Sequence, residues 1–193
     1  MLSDSMFIDI QGLHLHYKLI GNGFPLLIIH GWRGNMGTME AVFELLFTSN
    51  SDIKRVYIDL PGMGDSTSGS YLSSTDDVLE ELFDFIDKVI GAPFLIAGYS
   101  YGGYLARAIV DKKPSDILGL FLLAPMLIPE TKGRKLQFSK WVELTTEYQL
   151  AQKQSKQSKK SWKNVDQSFI YRLKQNYRLK DAITNVRQFN KPI

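Results

Sequence analysis

Residues 94–108 read Phe-Leu-Ile-Ala-Gly-Tyr-Ser-Tyr-Gly-Gly-Tyr-Leu-Ala-Arg-Ala. A short apolar run, Phe94–Ala97, meets a G-x-S-x-G pentapeptide at Gly98–Gly102, and small residues follow at Gly103, Ala106 and Ala108. The pentapeptide alone is weak, because Gly and Ser are common. Its position sharpens it: the chemistry asks for a strand, a tight turn and a helix, and that is the order here. The turn holds Ser100 in a strained conformation with its hydroxyl exposed. Gly98 and Gly102 give it room, since a β-carbon at either place would clash. The helix that follows aims unpaired amides and the positive end of its dipole at the serine. The competing reading is a glycine-rich turn with an incidental serine.

Working outward, the same alternation of strand and helix recurs. Phe7–Ile10 and Leu13–Leu19 alternate apolar and polar around Gln11-Gly12, which predicts a β-hairpin. Pro25–Ile29 and Arg55–Leu60 are short buried strands, and Met39–Phe47 between them has helical spacing at Val42, Phe43, Leu46 and Phe47. Ser74–Ile90 is an amphipathic helix with Ser74 as N-cap and acids in its first turn, stopped by Gly91 and Pro93. Its apolar face carries Val78, Leu79, Leu82, Phe83, Ile86, Val89 and Ile90. Asp76, Asp77, Glu80, Glu81 and Asp84 lie mostly on the other. Gly102–Lys112 is a helix and Ile117–Ala124 a strand. A hairpin followed by alternating strands and helices predicts an α/β fold, a mostly parallel sheet with helices on both faces. Right-handed crossovers then gather the C-terminal strand ends at one edge, where such folds place their sites.

Past Pro129 the texture changes. Leu136–Leu150 is helical in pattern, residues 151–161 are polar and of low complexity, and Phe169–Val186 is helical again. Phe189 and Lys191-Pro192-Ile193 read as the approach to a further strand.

The 193 residues suit a single domain, with 44% hydrophobic and 22% charged residues. With no cysteine, disulfides, thiolate metal sites and a cysteine nucleophile are excluded. No signal-peptide pattern opens the chain and no apolar run reaches the roughly 18–20 residues of a membrane span. A cytoplasmic protein without metal or cofactor is the expectation. Charge is uneven. Residues 1–129 hold 8 Lys+Arg and 15 Asp+Glu, net −7; residues 130–193 hold 15 and 5, net +10. A basic segment can face an anionic partner. No nucleic-acid motif accompanies it, so a solvated helical face is expected and no nucleic-acid partner.

Two further motifs end strands. His30-Gly31-Trp32-Arg33-Gly34 follows Pro25–Ile29 directly. A glycine there lets the backbone fold over a site, and an amide of this loop can form half of an oxyanion hole. His30 itself is read as ordering the loop by hydrogen bonding. Asp59-Leu60-Pro61-Gly62-Met63-Gly64-Asp65-Ser66 contains a G-x-G, but the next glycine is Gly69, so the dinucleotide spacing fails. It is read as a loop shaping the site.

Taken together, HGWRG, DLPGMGDS and GYSYGG resemble the α/β-hydrolase superfamily, in its serine esterase-like branch, over residues from about Met6 to Ile193. The resemblance implies a nucleophile at Ser100, oxyanion amides at Trp32 and Tyr101, and site-loop roles for His30, Gly31, Gly98 and Gly102. It implies a core over residues 1–128, a helical cap over 129–188, and the start of the next core strand at 189–193. The expected activity is hydrolysis of a small carboxylic ester or related acyl compound, with Tyr99, Tyr101, Trp32, Met36 and Met126 as candidate walls. A serine rather than an aspartate disfavours the dehalogenase and epoxide hydrolase branches.

The family order is Ser, then an acid, then His. Here His14, His16 and His30 all precede Ser100. The chain looks like the front two-thirds of such an enzyme, with the strands that carry acid and base missing. Glu130 is an acid placed one strand earlier, still without a base. Inactivity of this chain is therefore expected, with self-association through an uncovered sheet edge. The rival reading is a non-catalytic binding module on the same scaffold.

Overall fold

A hairpin turned by Gln11 and Gly12, both at positive φ, starts the sheet. It joins β1 (Ser5–Ile10) to β2 (Leu13–Ile20), paired antiparallel. The computed structural model describes residues 5–48, 51–130, 133, 165–184 and 186. Four more strands follow: β3 (Phe24–Ile29), β4 (Ile53–Ile58), β5 (Phe94–Tyr99) and β6 (Ile117–Leu123). Their order in the sheet is β1-β2-β4-β3-β5-β6. Only β1 with β2 and β2 with β4 run antiparallel; β4-β3-β5-β6 are parallel. The expected α/β-hydrolase architecture is what forms.

Alternation along the central strands divides two cores. Leu27, Ile29, Val56, Ile58, Phe94 and Ile96 face α2 (Thr75–Phe85) and α3 (Tyr101–Lys112), while Leu26, Ile28, Tyr57 and Ala97 face α1 (Met36–Phe43). Register fixes the functional edge. Ile29 lies opposite Ile58 on one side and Gly98 on the other, so β3, β4 and β5 end level. The three motifs leave the sheet side by side.

Several helix bounds differ from the sequence reading. α1 starts at Met36, because the Asn35 carboxamide accepts the Thr38 amide (3.1 Å), and it gives way to one 3₁₀ turn at Glu44–Leu46. Of the four residues expected on its apolar face, only Phe43 is buried; Val42 and Leu46 are exposed. α2 begins where expected. Ser74 accepts the Asp77 amide, and Asp77 accepts the Ser74 amide (2.9 Å), a capping box. Its last turn, Ile86–Ile90, is a π turn closed by left-handed Gly91. Glu81, expected on the polar face, is instead buried, its carboxylate accepting the Tyr71 hydroxyl (2.7 Å).

A helix over 169–186 does not form. α4 (Gln167–Gln175) starts earlier, capped by Asp166, and stops at Asn176. Beyond it the backbone is drawn to α2 and α3 instead of to itself: the Leu179 amide donates to the Tyr104 hydroxyl (3.0 Å) and the Thr184 amide to Asp111 (2.8 Å). Phe169, Ile170, Leu173 and Leu179 join the core shared with α2 and α3. The helix expected at 136–150, the polar stretch 151–161 and the strand approach at 189–193 lie outside the described residues, as does most of the expected cap.

The α2 cap gives a first prediction. Ser74→Ala should cost about 1 kcal/mol of stability. Although burial pushes the Asp77 carboxyl up, amide and hydroxyl donors from Ser73 and Ser74 outweigh it and hold the group below its ordinary value. A depressed acid stabilises the fold above its unfolded pKa and loses that contribution as pH falls. Urea melts should therefore show the Ser74→Ala deficit at neutral pH and a smaller one in acid. An equal deficit at both would place the effect elsewhere.

Candidate active site

Ser100 sits between β5 and α3 at φ +52° and ψ −110°, a conformation that L-residues rarely adopt. Three backbone hydrogen bonds hold it there. Its amide donates to the Leu123 carbonyl (3.1 Å), and its carbonyl accepts from the amides of Met126 (2.9 Å) and Tyr104 (3.2 Å). The elbow is sterically closed to anything but glycine on both flanks. A β-carbon on Gly98 would lie 2.6 Å from the Gly102 carbonyl carbon and 2.7 Å from the Gly103 nitrogen. One on Gly102 would lie 2.5 Å from the His30 oxygen. Gly31 passes directly over the serine: a β-carbon there would meet the Tyr99 ring at 2.9 Å and Ser100 Cβ at 3.2 Å.

His30 is fully engaged by its own loop. Its Nε2 accepts the Leu60 amide (2.9 Å), which requires the proton on Nδ1, and Nδ1 donates to the Gly31 carbonyl (2.7 Å). Burial lowers its pKa, against the opposing pull of Asp59 and the Gly31 carbonyl, so the ring is held neutral. Neither nitrogen is left for Ser100. The other two histidines are held elsewhere: exposed His14 pairs with Asp9, and His16 with Ser5 and Asp59.

Asp59 is a hub that the sequence reading missed. It is 2% exposed. Its Oδ1 accepts the Met36 amide (2.6 Å), and its Oδ2 accepts the Asp65 amide (2.9 Å) and His16 Nδ1 (2.7 Å). The Ser66 hydroxyl donates to its carbonyl (2.6 Å) and accepts the His16 amide (2.9 Å). One carboxylate thus ties β2, the start of α1 and its own loop together. Gly64, at φ +58°, packs so closely on this carboxylate that a β-carbon would lie 2.5 Å from Oδ1. That close approach, and not a bound nucleotide, accounts for the second glycine of the G-x-G. His16, Asp59 and Asp65 also bring ligand-type atoms within 4.8 Å of one another, but the Asp59 oxygens and both His16 ring nitrogens already carry the bonds just given.

A cavity of about 790 Å³ opens at Ser100. Trp32, Met126, Ile170 and Tyr177 form apolar walls, and Arg33, Glu130 and Lys174 bring charge. Trp32 packs edge-on against the rings of Tyr101 (5.4 Å) and Tyr177 (4.6 Å), and Tyr177 stacks on Tyr101 at 5.0 Å. Three of the five expected walls are absent from it. The Tyr101 side chain is fully buried, its hydroxyl donating to Thr75 Oγ1 (3.1 Å). Met36 belongs to the core on the α1 face, and Tyr99 packs outside, against Gly31. Glu130 lines the cavity but is clamped by the Arg178 guanidinium through both oxygens, not by a histidine. The amide of Tyr101, the first residue of α3, has no intrahelical acceptor, and Trp32 lines the cavity from the facing loop. α4 brings Ile170 and Lys174 across 70 residues of sequence, so nothing near Ser100 in the chain announced them.

The family described as serine aminopeptidase, S33 (Hydrolase_4) matches residues 25–189. A pimeloyl-[acyl-carrier protein] methyl ester esterase of Shewanella woodyi is 33% identical over 113 residues, which are 57% of this chain and 39% of that protein. A 1-acylglycerol-3-phosphate O-acyltransferase ABHD5 of Mus musculus is 31% identical over 116 residues, 58% of this chain and 32% of that protein. The chain thus matches under half the length of these curated relatives. Among solved structures, an alpha/beta superfamily hydrolase from Oenococcus oeni PSU-1 superposes with a TM-score of 0.69 at 29% identity, covering 86% of this chain and 69% of that one. No described helix is long and apolar enough to cross a membrane.

Proposed function

The chain belongs to the Hydrolase_4 family of α/β hydrolases, and from that premise we propose that its site is built to cleave a small carboxylic ester or related acyl compound at Ser100. The observation that carries the reading is the Ser100 backbone at φ +52°, held over an open cavity between glycines that tolerate no β-carbon. Such strain persists only where the surroundings enforce it, and it presents the hydroxyl to solvent. In the proposed reaction Ser100 Oγ attacks the acyl carbon, its proton passes through a general base to the departing oxygen, and the C–O bond breaks to release the alcohol. The amides of Trp32 and Tyr101 hold the developing oxyanion, and water then releases the acid. The esterase relatives support the substrate class. Core and cap are proposed to divide near residue 128.

The site as described holds no histidine base for Ser100, since all three histidines are bound to other groups. A second reading, a non-catalytic binding module, draws on that same observation. Added imidazole separates the two. Hydrolysis of p-nitrophenyl butyrate by the 193-residue chain should match that by Ser100→Ala without imidazole. With saturating imidazole the native chain should exceed the variant by about tenfold, the external base replacing part of what a positioned base contributes. No difference at any imidazole concentration would favour the binding module. A Ser100-dependent rate without imidazole would mean that a base other than histidine serves the serine.

A further inference from the structure

Three charged side chains line the cavity at Ser100: Arg33, Glu130 and Lys174. Lys174, on the α4 face that covers the serine, lines it and makes no ion pair among the described residues. The acids that share a surface hollow with that lysine accept hydrogen bonds from other groups. Glu130 is clamped by Arg178, Asp77 accepts the Ser73 and Ser74 amides, and Asp76 accepts the Lys180 amide. Arg33, across the cavity, donates to the neutral carboxamide of Gln167. With Glu130 clamped by Arg178, the described walls offer Ser100 the cationic groups of Lys174 and Arg33 and an apolar side from Trp32, Met126, Ile170 and Tyr177.

We infer that Lys174 selects acyl compounds bearing a negative charge remote from the scissile carbonyl, with the apolar walls taking the chain between the two ends. This rests on the Ser100 cavity being the acyl site. Lysine suits the role as a compact point charge on a flexible stem, able to follow ligands of different length. Because it is solvent-exposed, the gain is modest and screened by salt.

The test separates binding from turnover by working in the Ser100→Ala background. Titration calorimetry would compare monomethyl suberate, which carries one carboxylate, with uncharged methyl octanoate. The monoanion should bind about threefold to fivefold more tightly at low ionic strength. That preference should shrink in Lys174→Gln, survive in Lys174→Arg and fade in about 0.5 M salt, where the Debye length is only a few ångströms. A preference unchanged in Lys174→Gln, or absent at the outset while the neutral ester binds, overturns the lysine's role and leaves the hydrolase reading standing. Binding of neither ester removes the acyl site itself, and the inference with it.

Discussion

Gly98→Ala should destabilise the fold severely. The added β-carbon would sit 2.6 Å from the Gly102 carbonyl carbon and 2.7 Å from the Gly103 nitrogen. Both neighbours are backbone atoms at the start of a buried helix, so neither can swing aside. Relief requires β5 and α3 to separate, and with them the packing of Ile96, Tyr101 and Leu105. Overpacking of this kind costs about 3 kcal/mol or more, against a total near 5–15 kcal/mol for a domain. Gly12→Ala is the control. Gly12 has φ +84°, and a β-carbon there would have no neighbour within 4 Å, so its substitution bears only the backbone penalty, about 1–2 kcal/mol. Soluble yield and urea midpoints measure both. If Gly98→Ala melts within about 1 kcal/mol of the native chain, well below the cost of overpacking, the elbow is not sterically closed and the strain at Ser100 has another origin.

Asp59→Ala is expected to be comparably damaging, at about 3–5 kcal/mol, the range for breaking a buried charged network from one side. Three donors lose their acceptor at once: the amides of Met36 and Asp65, and His16 Nδ1. Each would be left facing protein, where an unmade hydrogen bond costs its full desolvation. Asp59→Asn should do less harm, because its carboxamide oxygen keeps one of the two acceptor positions. The loop also sets the site, since Leu60, next in sequence, holds the His30 ring by its amide. In Asp59→Asn, hydrogen exchange should therefore rise at the Leu60 and Met36 amides together before the global transition moves. Faster exchange at only one would break the proposed link between the two loops.

Both effects trace to residues whose types are plain in the sequence and whose partners are not. Gly98, Gly102 and Ser100 announce a strained elbow because only glycine meets a steric demand of that kind, and the demand is local. The sheet is legible for a similar reason. Unbroken apolar runs at Pro25–Ile29 and Phe94–Ala97 mark strands buried in the sheet, whereas the alternation in Leu13–Leu19 marks a strand but not its water face, since His16 is buried against Asp59. Ser74 and Asp77 set the start of α2 within one turn of chain.

Where local pattern competes with distant partners, it loses. Residues 176–184 carry helical spacing, yet Tyr104, Asp76 and Asp111 take their amides, because a hydrogen bond to a fixed side chain on a packed helix replaces the intrahelical one. Tyr101 reads as a cavity wall beside Ser100, but the first turn of α3 points its ring into the core.

The sheet, the elbow and the choice of serine are written in the order of residues, since each depends on contacts within a few positions or on a period that any strand or helix must obey. Folding in three dimensions was needed to make Asp59 the anchor of three segments and to bring Lys174 and Tyr177 to Ser100. Those are pairings over tens of residues between side chains with no shared period, and only the packed register of β3, β4 and β5 brings them to one edge.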